Sequence, residues 1–80
     1  MQDERLQKAF RIGLGLDNVP SYENLVFARS AGWDSIAHMK LITAIEEEFN
    51  ISMDIEDVLA LSSYPVSKQI LKKYGIDFSS

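Results

Sequence analysis

From Ser35 to Phe49 the apolar residues Ile36, Met39, Leu41, Ile42, Ile45 and Phe49 recur at helical spacing, while Glu46, Glu47 and Glu48 face outward. A period near 3.6 marks a helix that turns one face to a core. Asp34 stands just before the stripe. A carboxylate at that point accepts hydrogen bonds from helix N–H groups that lack intrahelical partners, worth about 1 kcal/mol. The helix is therefore expected to begin at or next to Ser35, and its apolar face needs other elements to cover it.

The rest of the chain supplies them. Between about Asp3 and Leu14, Leu6, Ala9, Phe10, Gly13 and Leu14 keep helical spacing, with a stop expected near Gly15. From Leu16 to Asp34 the pattern turns irregular around Asn18, Pro20, Ser21 and Gly32. This reads as a long loop, with a short helical turn around Tyr22 to Val26 and with Leu25, Val26 and Phe27 pinning its middle to the core. Trp33 is expected to anchor the loop by burial. Asp54 to Ala60 suits a short helix capped by Asp54 or Ser52, with Ile55, Val58 and Leu59 pointing inward. After Ser62 and Ser63, Pro65 fits a first helical turn. Val66, Ile70, Leu71 and Tyr74 then supply an inner face, Lys72 and Lys73 complement the negative helix end, and Gly75 terminates it. The expectation is an all-α, small four-helix bundle: three longer helices, one short helix, and a long loop between helices one and two. No repeat or linker divides the chain, so residues 1–80 are read as a single free-standing domain.

Size and charge remove whole classes of function. Eighty residues leave room for one small core and for no deep, layered cleft. The chain has no cysteine and one histidine, His38, so neither thiolate nor multi-histidine metal sites are expected. A net charge of -4 argues against nucleic acid, whose binding rests on clustered Lys and Arg, and favours basic patches on other proteins. No apolar run approaches spanning length, and the start lacks the order of a signal peptide. A soluble, cytoplasmic monomer without membrane contact is expected. Catalysis by the chain itself is not: the single histidine lies three positions after Ser35, where a productive triad is doubtful, and no phosphate loop, zinc pair or EF-hand series occurs.

What remains is a serine hydroxyl at the solvent-facing start of a long helix. The positive helix end favours a phosphodiester there, and exposed N–H groups can bond its oxygens. Asp34-Ser35-Ile36 resembles the Asp-Ser-Leu attachment motif of acyl carrier proteins. Nearly the whole chain is similar to that family in its order: helix, long loop, Asp-Ser, an acidic helix ending Ala44-Ile45-Glu46-Glu47-Glu48-Phe49, a short third helix, and a last helix after Ser62-Ser63. The resemblance implies that Ser35 bears 4′-phosphopantetheine. A separate Mg²⁺-dependent phosphopantetheinyl transferase would add it from coenzyme A, and its thiol would carry acyl groups as thioesters between acyl-loading and acyl-processing enzymes of fatty acid or polyketide type. The chain would be a non-catalytic carrier.

The departures from that family are informative. Many fatty-acid carriers are acidic just after the serine, whereas this chain has Ala37, His38 and Lys40 there and its acid cluster at Glu46, Glu47 and Glu48. Lys40 would meet a basic groove as a like charge. A specialised carrier is expected, resembling the discrete carriers with a Gly-Trp-Asp-Ser stretch. Partner recognition is expected at Asp34, Ile36, Met39, Lys40, Glu46, Glu47, Met53, Glu56 and Asp57, with Ile36 and Met39 of mixed exposure and His38 an ordinary surface residue. The alternative is an unmodified helical domain for protein–protein interaction.

Overall fold

Four helices form among the residues described by the structure, a computed structural model covering 2–15, 22–27 and 33–78. The expectations placed on Leu16, Asn18, Pro20, Ser21 and Gly32 lie outside the described residues. Helix α1 spans Gln2–Leu14 and buries Leu6, Ala9, Phe10, Gly13 and Leu14, the stripe read from its spacing. Asp3 and Glu4 in its first turn and Arg11 in its last suit the helix dipole. Helix α2 spans Ser35–Phe49 and stops at Asn50, whose left-handed backbone (φ 55) turns the Ile51 N–H back to donate to the Glu46 carbonyl at 3.0 Å. Helix α3 spans Ile55–Ala60, and helix α4 spans Tyr64–Lys72. Ser63 caps α4, its hydroxyl accepting from the Val66 N–H at 3.2 Å, and Pro65 sits in the first turn as expected.

The close approach of α1 to α2 at Leu41 depends on Gly13. A Cβ there would overlap Leu41 Cα and come within 2.8 Å of the Leu41 nitrogen. Around this crossing Leu6, Phe10, Trp33, Leu41, Ile45, Leu61, Tyr64 and Leu71 are fully buried. The Phe10 ring meets Trp33 and Tyr64 edge-on, at 5.5 and 5.1 Å between centroids, an arrangement that adds quadrupole attraction to apolar burial.

Backbone bonds tie the middle of the long connection to the start of α4. Tyr22–Asn24 makes a 3₁₀ turn, the Phe27 N–H donates to the Ser62 carbonyl at 2.8 Å, and the Tyr64 N–H donates to Leu25 at 3.3 Å. Leu25 is buried and Phe27 half-buried, whereas Val26 faces solvent and forms an isolated antiparallel bridge with Ser63.

Several inward assignments need correction. In α3 only Asp57 and Val58 turn inward, while Ile55 and Leu59 are 67% and 77% exposed. A helix this short has too few turns to fix its own face, and contacts from α2 and from the chain after α4 set its rotation. In α4 Tyr64 and Ser67 join Ile70 and Leu71 inside, and Val66 is half-buried. Phe49 is also half-buried, edge-on to Phe78 at 6.3 Å with the Arg5 guanidinium 4.8 Å above it. Among the described residues no helix is long and apolar enough to cross a membrane.

Candidate functional site

The start of α2 is held from within and open on its outer side. Asp34 has extended backbone (φ -100, ψ -171), and its Oδ1 accepts from the Ala37 N–H at 2.8 Å. Its carbonyl accepts from the His38 N–H, also at 2.8 Å. The first N–H groups of a helix have no partner inside it. With those of Ala37 and His38 satisfied, the N–H groups of Ser35 and Ile36 remain available to oxygens from outside. Ser35 itself is exposed. The first turn of α2 holds no acid, and exposed Lys40 lies little more than one turn further on. An exposed hydroxyl, two unsatisfied donors, the positive helix end and a nearby cation together fit a phosphodiester at Ser35.

His38 is not a surface residue. It is buried, its Nδ1 accepting from the Trp33 indole N–H at 3.0 Å and its Nε2 lying 2.8 Å from the Val58 carbonyl. The indole only donates and the carbonyl only accepts, so in this geometry Nδ1 is the acceptor and Nε2 the donor. The expectation of surface exposure failed because both partners are distant in function from the local pattern: one comes from the loop, the other from α3. Trp33, by contrast, is the buried anchor expected of it.

On the outer side an open, mainly apolar groove of about 650 Å³ lies along α2. The end of α1 contributes Ile12 and Gly13. From α2 come Ser35, Ile36, Met39 and Lys40, and then, further along, Thr43, Ala44 and Glu47. A smaller hollow of about 280 Å³ adjoins its head and includes Asp34 and Ala37. Ile36 and Met39 are 71% and 55% exposed, so they stand off the buried face of α2.

Of the residues expected to meet partners, Ile36, Met39, Lys40 and Glu47 thus share one surface with Ser35, and Asp34 lies beside it. The others do not. Glu46 is half-buried and accepts from the Met53 N–H at 2.8 Å, and Met53 packs against the core. Glu56 is exposed on α3. Asp57 is buried: Lys73 Nζ lies 2.6 Å from its Oδ1, and the Tyr74 hydroxyl donates to its Oδ2 at 2.5 Å. Hydrogen bonds first from Lys73 and then from Tyr74 hold the Asp57 carboxyl below the usual carboxylate range. The same bonds push the Lys73 ammonium and the Tyr74 phenol upward. The Tyr74 hydroxyl also accepts from the Asp54 N–H at 2.9 Å, so this carboxylate locks α3 to the chain after α4.

Sequence reasoning missed Ile12 and Thr43 as groove residues. Ile12 carried a signal: it is apolar yet out of phase with the inner stripe of α1.

The family model of the phosphopantetheine attachment site matches residues 4–65, from α1 to the start of α4, with Ser35 inside the matched stretch. No curated protein and no solved structure matches the chain. With most of its length covered by that one model, and with a helical bundle to match, the chain belongs to the phosphopantetheine attachment family, carrier domains of the acyl or peptidyl carrier type that bear a 4′-phosphopantetheine prosthetic group.

Proposed function

We propose that Ser35 is the residue that carries the arm, that a phosphopantetheinyl transferase attaches it in trans, and that the loaded chain serves acyl-loading and acyl-processing enzymes of a specialised pathway. The observation that carries this reading is the exposed Ser35 hydroxyl at the start of α2. In the transfer, Ser35 Oγ bonds to the coenzyme A phosphorus nearest the pantetheine. The bond from that phosphorus to adenosine 3′,5′-bisphosphate breaks, and the hydroxyl proton passes to the transferase. When bound, the arm supplies a thiol that holds acyl groups as thioesters.

The chain's own residues position and advertise that graft. Asp34 fixes where α2 begins, which keeps Ser35 in solvent and leaves the Ser35 and Ile36 N–H groups toward the phosphodiester. Ile36 and Met39 offer partners an apolar contact beside it, flanked by Lys40 and Glu47, and Glu56 adds charge on α3. His38 is withdrawn from recognition by burial, so the departure from an acidic helix start rests on Lys40. That cation disfavours docking to a basic groove and supports dedicated partners. The reading is completed by work as a monomer in the cytoplasm, a reducing compartment with which a cysteine-free sequence is compatible.

Incubation of the apo protein with coenzyme A and a promiscuous transferase, followed by intact mass measurement, tests the assignment. One phosphopantetheine group is expected, lost in Ser35→Ala. No gain overturns the reading in favour of an unmodified interaction domain. The specialised role fails if a general fatty-acid ketosynthase uses the acylated form as well as it uses its housekeeping carrier.

A further inference from the structure

We infer that the groove along α2 is the resting place of the chain's own arm, so that the pantetheine lies on the outer α1–α2 surface and not inside the bundle. This rests on Ser35 carrying that arm. Ser35 is itself part of the groove wall, so a group grafted on its hydroxyl starts at the groove. Length agrees as well. Ser35 to Glu47 covers about 18 Å along a helix at about 1.5 Å per residue. From Oγ to sulfur the arm has roughly 14 bonds, about 17 Å when extended at about 1.2 Å per bond.

The chemistry also matches along that line. The arm begins with a phosphodiester and a geminal dimethyl carbon, continues through two amides, and ends in a thiol. The groove begins beside the open N–H groups of Ser35 and Ile36, presents Met39 and Ile12 as apolar walls, and has Lys40 and Glu47 as a donor and an acceptor for amides. Gly13 sets its floor, because α1 can approach Leu41 this closely only without a Cβ. Among the described residues the interior is filled: Phe10, Trp33 and Tyr64 are fully buried, with Phe10 edge-on to the other two rings, and His38 joins α2 to α3 with both ring nitrogens engaged. A partner that docks on Ile36 and Met39 therefore lifts the arm out as it binds.

Comparison of amide and methyl NMR spectra of the apo and modified protein tests this, with the mass measured on the same sample. The expected result is a run of shifts at Ile12, Gly13, Met39, Thr43, Ala44 and Glu47, with Overhauser contacts from the arm's methyl groups to Met39. Thr43→Phe, at an exposed groove position, is expected to erase the shifts beyond Met39 and to keep those at Asp34 to Ile36. Shifts confined to Asp34, Ser35 and Ile36 overturn the inference, since the arm is then free in solvent. Shifts at Val58, Leu61 and Ile70 overturn it in favour of the interior. Both results leave the carrier assignment standing, whereas a sample that gains no mass removes that assignment and this one together.

Discussion

The two ends of α2 share one helix and treat their side chains in opposite ways. At the start, Ser35, Ile36, Met39 and Lys40 stand in solvent, and Trp33, His38 and Asp34 fasten the helix. At the end, two of the three acids, Glu46 and Glu48, are occupied. Glu48 binds Arg5, whose Nε lies 3.0 Å from its Oε2 and whose other nitrogen reaches the Glu48 carbonyl, and Lys8 approaches at 3.6 Å. Glu46 holds the Met53 N–H. An acidic run that suggests docking is therefore divided: Glu46 and Glu48 serve the fold, and Glu47 stands exposed. Surface charge in a carrier is a recognition feature only where the fold has no use for it.

This contrast can be broken at several points. If the start of α2 were loosely held on its inner side as well, Trp33→Ala would matter little. It is expected instead to cost about 3–5 kcal/mol, read from urea unfolding, because a fully buried aromatic is lost and His38 loses its donor. Gly13→Ala is expected to cost about 1–3 kcal/mol as the added methyl meets the Leu41 backbone, again by urea unfolding. Asp34→Ala should lower stability by about 1 kcal/mol in thermal melts.

Arg5→Ala probes the other end through pH. A hydrogen bond from Arg5, with Lys8 adding attraction, holds the Glu48 carboxyl below its usual range. A carboxyl lowered on folding stabilises the fold fully above its unfolded value of about 4.3 and loses that contribution as pH falls through the folded value. Wild type should therefore exceed Arg5→Ala in melting temperature at neutral pH, and the gap should narrow in acid to the part owed to Phe49 and the Glu48 carbonyl. A gap that persists unchanged at low pH would break the assignment. The smallest effect is expected from Ile36→Ala and Met39→Ala, each within about 0.5 kcal/mol of wild type by urea unfolding, while partner affinity falls. A larger loss of stability would place these side chains in the fold and not in recognition.

How much of this was legible follows from the range of each interaction. The three longer helices, the Asp34 cap and the exposed Ser35 are set by spacing and by contacts within a few residues, so local pattern carries them. The burial of His38 is not legible locally because Val58 comes from another element, and the bonds of Asp57 to Lys73 and Tyr74 likewise have no local signal. Ile55 and Leu59 were placed inward because six residues admit more than one apolar face. The groove needed the crossing of α1 over α2, which Gly13 permits but does not announce.

Helix α3 has a further consequence to its construction. It is six residues long, its N-cap Asp54 makes no side-chain cap bond, and groups outside it grip it at three places: His38 at the Val58 carbonyl, Lys73 and Tyr74 at Asp57, and Tyr74 at the Asp54 N–H. Such a segment has no schedule of opening of its own. Its amide protons should exchange with solvent in step with release of His38 or of the Lys73–Tyr74 pair, which makes α3 a reporter on whether the foot of α2 and the tail of the chain are seated.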